Sequence, residues 1–225
     1  DTGNCNRGMR SSMSELQTKL PTDTWVAASW DEYIRVIENP AYEKAKGYYY
    51  NGQLRIEMPP VGNDHASDHS IVTHAVHLFA GIKGIDLNGK DNCTYRKIGF
   101  QEAQPDASFY IGKNAEVVPW GPSIINLDFY PPPELVIEVA KTSLSDDKGE
   151  KRLLYEDLSV SEYWILDVNN VRVIAFAIEK GGSRRITESL VLPGLSMSLL
   201  EEALRRTRQM NHGKVSSWLL TQFQQ

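Results

Sequence analysis

The sequence predicts a mixed α/β fold, and three observations support this prediction. The run ELVIEVA (134–140) is short, apolar and rich in β-branched residues, which is typical of a strand buried on both faces. A helical pattern follows at about 147–158, and then a second apolar strand, YWILDV (163–168). Further helical patterns flank this unit, so we expect helices packed against a sheet.

The N-terminal part predicts a helix and then a hairpin. Between 25 and 37 the apolar residues recur at helical spacing, with Ser29 as a candidate N-cap. The segment YYYNGQLRIEM (48–58) predicts two strands joined by an Asn51-Gly52 turn. Side chains alternate along the second strand, so Leu54, Ile56 and Met58 should share one face, opposite Arg55 and Glu57.

The middle of the chain predicts a helix, two strands and a long loop. The helix should begin near Asn63 or Asp64 and continue to about Phe79. TYRKIGF (94–100) and DASFYI (106–111) are predicted strands, separated by the polar EAQP (102–105). The segment 114–133 has several prolines and no apolar period, which indicates an ordered loop.

The C-terminal part predicts a hairpin, a short strand and two helices. The Asn169-Asn170 turn leads into the strand VRVIAFAI (171–178), and a Gly181-Gly182 turn leads into a short strand. Helices are predicted at about 198–210 and 215–223. We expect residues 1–20 to be disordered or vector-derived and 21–225 to form one domain, with 195–225 as a helical extension.

The composition excludes several classes of protein. With 41% hydrophobic and 24% charged residues, the chain is neither disordered nor fibrous. No apolar run is long enough to span a bilayer, and Cys5 and Cys93 are too few for a disulfide framework, so we expect a cytoplasmic location. The net charge of −5 means that any nucleic acid must be bound by a local basic patch.

Three residues stand out as candidates for chemistry. Asp106 directly follows a proline at the start of a predicted strand, and Glu138 lies inside an apolar strand. A buried carboxylate is costly unless it is paired, protonated or bound to a metal, although Glu138 could also face solvent at the strand end. Lys151 shares a helix face with Leu154 and Leu158, so it points toward the core or a cleft unless it merely covers apolar surface.

A second group of candidates lies upstream. Glu57 ends the predicted hairpin and His65 flanks the apolar face of the next helix, whereas His74 and His77 should point to solvent. His65 and His69 have the i, i+4 spacing of a zinc-binding helix, but no glutamate follows the first histidine as a metalloprotease requires. We therefore do not expect zinc here. No P-loop, dinucleotide-binding fingerprint or nucleophile elbow occurs.

Two carboxylates and an inward lysine form a chemically coherent set. Carboxylate oxygens are suitable ligands for Mg²⁺ or Mn²⁺. Such an ion and a lysine could activate water and neutralise charge on a phosphodiester. Asp106 and Glu138 are thus the predicted metal ligands.

Two segments, QPDASFYI and LVIEVAKTSLSDDKGEKRLLYEDLSVSEYWILD, resemble the PD-(D/E)XK nuclease superfamily. The closer similarity is to its branch of restriction-endonuclease-like bacterial proteins of mostly unknown function, which RIEMPPVGNDH also fits. The resemblance covers about residues 25–180. It implies a restriction-endonuclease-like fold, with a central mixed sheet flanked by helices and a C-terminal helical extension.

The resemblance also implies residue roles. Asp106 matches the aspartate of the superfamily motif and Glu138 its second acid. The motif lysine would fall on Ala140, so Lys151 on the following helix matches it instead, while Glu57 and His65 match an upstream polar pair. A tyrosine within 48–50 replaces an acid that is common in this branch.

The leading hypothesis is a Mg²⁺- or Mn²⁺-dependent endonuclease acting on DNA. The alternatives are a catalytically silent module that binds nucleic acid or protein, and a structural oligomer. We expect weak, salt-sensitive, non-specific DNA binding, no membrane partner and a homodimer. Candidate DNA contacts are Arg205, Arg206 and Arg208, which could equally be a solvated helix face, and Lys141, Lys148 and Arg152.

Overall fold

The protein is described by a computed structural model that covers residues 20–59 and 62–225. Within these residues two mixed six-stranded sheets are flanked by helices, which confirms the predicted α/β class. The strands are β1 (Trp25–Ala27), β2 (Lys46–Tyr50), β3 (Gln53–Glu57), β4 (Leu87–Asp91), β5 (Tyr95–Lys97), β6 (Gln101–Ala103), β7 (Ala107–Ile111), β8 (Ile125–Asn126), β9 (Leu135–Ala140), β10 (Glu162–Asp167), β11 (Arg172–Glu179) and β12 (Gly182–Ile186). The helices are α1 (Trp30–Ile37), α2 (Asn63–Lys83), α3 (Leu144–Lys148), α4 (Glu150–Leu158), α5 (Met197–Thr207) and α6 (His212–Phe223).

The first sheet has the order β1-β3-β2-β6-β5-β8 and is built on the predicted hairpin. Strands β2 and β3 pair in antiparallel fashion, and both turn residues have positive φ, 49° at Asn51 and 70° at Gly52. Two successive positive φ angles match the right-handed twist of a tight hairpin, and asparagine and glycine adopt them at little cost. The hairpin prediction is confirmed.

The second sheet has the order β12-β11-β10-β9-β7-β4 and carries the main core. Strands β9 and β10 are parallel, and a parallel pair needs a crossover, which α3 and α4 supply. Leu135, Ile137 and Val139 of β9 face the apolar cluster that also contains α2, α5 and α6. Val136 and Ala140 face the opposite cluster, which contains α4 and Tyr48 of the first sheet. Glu138 therefore points between the two sheets.

The predicted elements differ from the observed ones at several places, among them the predicted loop 114–133, which contains β8, and the predicted strand 94–100, of which only β5 forms. Residues 25–27 form β1 instead of a helix, because they pair with β3, and α1 begins only after a capping box on Ser29. The polar segment at 102–105 overlaps β6, and β4 had no sequence signal. The helix predicted at 147–158 is interrupted at Gly149, which separates α3 from α4.

The C-terminal helices fold back onto the second sheet. Val215, Leu219 and Phe223 of α6 are buried in the main core, where the Phe223 ring packs edge-to-face on Phe79 at 5.1 Å. The apolar face of α6 is thus covered within the chain. In the described residues no helix is both long and apolar enough to cross a membrane. The prediction for residues 1–20 concerns segments outside the described residues, apart from Leu20.

Candidate active site

Asp106, just before β7, and Glu138, in the neighbouring strand β9, are joined by hydrogen bonds. Ala107 of β7 pairs with Ile137 of β9 in antiparallel register, which places the preceding residue beside Glu138. The Asp106 backbone N–H donates to Glu138 Oε1 at 2.9 Å, and the Val139 N–H donates to Asp106 Oδ2 at 2.7 Å. Sheet pairing itself therefore brings the two predicted acids together.

Lys46, which the sequence analysis did not select, lies next to both acids. Its Nζ is 2.9 Å from Asp106 Oδ1 and 4.0 Å from Glu138 Oε1. The residue opens β2, opposite Glu57 of β3. Its side chain crosses from the first sheet to the edge of the second, so the site contains a cation between its two central carboxylates.

Lys151 reaches the same carboxylates from α4. It lies on the buried helix face with Leu154 and Leu158, as its spacing predicts. Its Nζ is 2.8 Å from Glu57 Oε1 and 3.1 Å from Glu138 Oε2. Lys141, three residues after Glu138 in the chain, is exposed instead, and its Nζ binds Asp64 Oδ2 at 2.9 Å. Lys151, and not Lys141, is thus in direct contact with Glu138.

These groups belong to a larger network that we call the ionic cluster. Besides the predicted residues, it includes Arg55, whose Nε donates to Glu57 and lies 3.2 Å from Asp146 Oδ2. Asp147 Oδ1 lies 3.1 Å from Lys151 Nζ. The ionic cluster consists of Glu57, Asp106, Glu138, Asp146, Asp147, Lys46, Arg55 and Lys151.

The pKa values of the two central acids are shifted in opposite directions. Burial raises the pKa of Glu138 to about 7, against the effect of Lys151 and Lys46. Burial also disfavours ionisation of Asp106, but Lys46 and His65 outweigh it and hold the pKa of Asp106 well below its usual range. The pair thus favours one ionised and one more readily protonated carboxyl group.

The Tyr48 hydroxyl oxygen is placed to accept a hydrogen bond from a protonated Glu138. Its hydroxyl oxygen is 2.8 Å from both Glu138 Oε2 and the Gln104 carbonyl oxygen. One phenol proton serves only one of these acceptors. A protonated Glu138 could donate to the phenol oxygen while the phenol donates to Gln104, so all three groups would be satisfied.

The two lysines stay charged at neutral pH. Burial lowers the pKa of Lys151, but Glu138, Asp147 and Glu57 reverse this effect and hold it well above the usual value. For Lys46, burial is likewise outweighed, first by Asp106, and its pKa is raised. Neither lysine is therefore suited to give up a proton at neutral pH, and both act as fixed positive charges.

His65 lies where two clefts meet. Its Nε2 is 3.5 Å from Asp106 Oδ2. A cleft of about 140 Å³ lies over the ionic cluster, and an adjoining cleft of about 440 Å³ is bordered by Lys44, His69 and Gln104. Both clefts share Lys46, His65 and Asp106. His69, one turn further along α2, has its Nε2 3.3 Å from Asp91 Oδ1.

The donor set suits a hard divalent cation. Five carboxylates face three lysine or arginine side chains in the ionic cluster, so full ionisation leaves an excess of negative charge. Asp146 Oδ2 and Asp147 Oδ1 are buried oxygens that accept no hydrogen bond of good geometry, although Lys151 is nearby. Within the described residues, however, no three metal-binding side chains are arranged to hold an ion. The chemistry fits Mg²⁺ or Mn²⁺, while the position between Asp106 and Glu138 is taken by Lys46.

The residues that sequence analysis missed gave weak signals. Lys46 and Arg55 lie on short strands whose side chains alternate between two faces, so in the sequence they resemble ordinary solvent-facing residues. Asp146 and Asp147 lie in a polar stretch that resembles a helix start. Only the packing of α4 between the sheets turns these side chains inward.

The arginine group of α5 is largely neutralised within the chain. Arg205 and Arg206 both pair with Glu202, and Arg208 makes a bidentate pair with the buried Asp68. This arrangement agrees with a solvated helix face for the first two arginines and a structural role for Arg208. Lys148 is exposed and directly follows Asp147, which lines the smaller cleft.

Comparisons with known proteins bear on the family and the fold of the chain. The family model described as "Uma2: Putative restriction endonuclease" matches residues 30–211. A solved structure, described as a putative nuclease belonging to DUF820 from Anabaena variabilis ATCC 29413, is similar with a TM-score of 0.51 and 16% identity. The match covers 85% of this chain and 99% of that one, and it concerns the fold. The comparison with curated proteins gives no match. Because the family model spans most of the sequence, the chain belongs to the Uma2 family of putative restriction endonucleases.

Proposed function

We propose that the protein is a divalent-metal-dependent endonuclease that hydrolyses phosphodiester bonds in DNA. One observation carries the proposal: beneath a small polar cleft, the Glu138 carboxylate accepts from the Asp106 backbone N–H and the Asp106 carboxylate accepts from the Val139 backbone N–H. Membership of a nuclease-like family supports it. Two acids held side by side on neighbouring strands beneath a cleft suit metal-assisted attack on a phosphodiester.

Asp106 and Glu138 would hold the metal ion, either Mg²⁺ or Mn²⁺. When bound, the ion would supply Lewis-acid activation of water and charge neutralisation at the phosphate. Asp106 is suited to this role because it stays ionised at neutral pH. Glu138 would bind metal as a carboxylate, so metal binding should release its proton below about pH 7.

The remaining residues would orient the side chains of the site and neutralise negative charge on the phosphate. Lys151 keeps its charge and would counter the negative charge that develops on the phosphate. Glu57 contacts both Lys151 and Arg55, so it would orient the lysine. His65 borders both clefts and would serve as an auxiliary acid, base or ligand.

A plasmid-nicking assay tests the proposal. The wild-type protein should convert supercoiled DNA to open circles with Mg²⁺ or Mn²⁺, and EDTA should stop the reaction. Asp106→Asn should abolish nicking, whereas Glu102→Gln should retain it. Glu102 is a matched control because it is a buried acid in the first sheet that pairs with Arg96, outside the ionic cluster. Equal nicking by wild type and Asp106→Asn would refute the assignment.

The two lysines near the site provide a second comparison. Lys151→Ala should abolish metal-dependent cleavage, because it removes a cation that touches Glu138. Lys141→Ala should leave most of the activity, since Lys141 pairs on the surface with Asp64. The reverse result would mean that Lys141 completes the site.

A catalytically silent nuclease-fold module is the second candidate. The observation that favours it is Lys46, whose ammonium contacts Asp106 without any metal. Wild-type protein that binds DNA but leaves duplex and single-stranded DNA intact with either metal would support this alternative. DNA as the partner, a cytoplasmic location and a homodimer stay predictions.

A further inference from the structure

Lys46 places an ammonium group between the two proposed metal ligands. Its Nζ lies 2.9 Å from Asp106 Oδ1 and 4.0 Å from Glu138 Oε1. The side chain is 4% exposed. A cation in this position neutralises the same carboxylates that a metal ion would need.

The backbone of Lys46 is held in place by its neighbours. Lys46 pairs with Glu57 in the β2–β3 ladder. At the next residue, Gly47, an added Cβ would lie 2.3 Å from the Tyr33 hydroxyl, so the strand is closely packed against α1. The side chain is therefore directed into the site by the sheet and is not a surface lysine covering apolar area.

The ammonium and a metal ion cannot share this position. An ion held by Asp106 and Glu138 together would compete with Lys46, because its Nζ already lies near one oxygen of each acid. Like charges that share one buried site also repel strongly. Lys151 contacts only Glu138 of these two acids, through the other oxygen, so Lys46 is the cation that must move.

We propose that Lys46 is an internal counter-ion that a divalent cation must displace before it binds Asp106 and Glu138. The inference rests on the proposed function, because it takes these two acids as the metal ligands. Lys46 also borders the adjoining cleft of about 440 Å³, which offers the displaced side chain space beside Asn92 and Gln104. Without DNA, the wild-type protein should therefore bind metal weakly.

Mn²⁺ binding tests the proposal independently of activity. Free Mn²⁺ is measured by electron paramagnetic resonance during titration of wild type, Lys46→Met, Lys46→Arg and Lys44→Met. Lys46→Met should bind Mn²⁺ about tenfold tighter than wild type, because the competing charge is gone. Lys46→Arg retains the charge and should bind no tighter than wild type.

Lys44→Met is the matched control for net charge. Lys44 is an exposed lysine two residues from Lys46, and it makes no ion pair with another described residue. Its replacement should change the Mn²⁺ affinity by less than about twofold. Adding Asp106→Asn to Lys46→Met should remove the tight binding, which would locate the ion.

Two results separate this inference from the proposed function. If Lys46→Met binds Mn²⁺ no tighter than wild type, while binding still depends on Asp106, the counter-ion role is refuted and the metal site survives. If no variant binds Mn²⁺, both fail. Circular dichroism checks folding, and Lys46→Gln, which can still donate a hydrogen bond to Asp106, replaces Lys46→Met if that variant does not fold.

Discussion

Replacing Lys151 by methionine would remove the cation with the most contacts in the ionic cluster. Its Nζ lies within 3.1 Å of Glu57, Glu138 and Asp147. Methionine roughly preserves the volume, so the loss is chiefly electrostatic. Removing one partner from a buried ion pair costs about 3–5 kcal/mol in unfolding free energy. With an m-value of about 2 kcal/mol per M, the urea midpoint should fall by about 2 M.

The loss of stability should depend on pH. Burial already raises the pKa of Glu138 to about 7, and the removal of Lys151 should raise it further. A carboxyl group whose pKa is higher in the folded than in the unfolded state stabilises the fold below the unfolded pKa. That contribution is lost as the pH rises through the folded pKa. The deficit of Lys151→Met should therefore be small near about pH 5 and largest above about pH 7.

Urea unfolding followed by tryptophan fluorescence at both pH values provides the measurement. Lys141→Met is the control, because Lys141 is an exposed lysine that binds Asp64 on the surface, and its midpoint should match wild type. Equal midpoints for the two variants, or a deficit that does not grow with pH, would show that Lys151 is not the electrostatic centre of the cluster.

Three further predictions concern other parts of the chain. In fluorescence anisotropy, Lys148→Ala should weaken DNA binding and reduce the slope of log affinity against log salt concentration by about one. Arg205→Ala should not change this slope, and equal slopes for the two variants would contradict the assignment. Gly52→Val should destabilise the hairpin by about 1–2 kcal/mol in chemical unfolding, because φ is 70° there. Phe223→Ala should cost about 3–5 kcal/mol without altering the mass in light scattering; a lower mass at unchanged stability would instead indicate a subunit interface.

Local patterns were sufficient for the elements with strong periodicity. The apolar β9, the Asn51-Gly52 turn and the buried face of α2 follow from side-chain alternation, from positive φ and from helical spacing. The position of Lys151 on the buried face of α4 follows from the same spacing rule. These features depend on residues a few positions apart, so a sequence contains them directly.

Short strands escaped this reasoning for a physical reason. Strands β1, β6 and β8 have only two or three residues each, and their stability comes from pairing with partners distant in sequence. Periodicity is not measurable over such lengths. The segment that forms β1 therefore resembled the start of a helix, and the polar segment around β6 resembled a loop.

The fold class, the pair Asp106 and Glu138, and the helix face that carries Lys151 could be predicted from the sequence. Which other charged groups lie beside them depends on how distant segments pack. The side chains of Lys46 and Arg55 lie on the same face of their hairpin. This face is covered by α4 and the second sheet, so both side chains are buried beside the acids. Burial and pairing are properties of contacts between distant segments, and these contacts determine which carboxyl group keeps its proton and which cation a metal must displace.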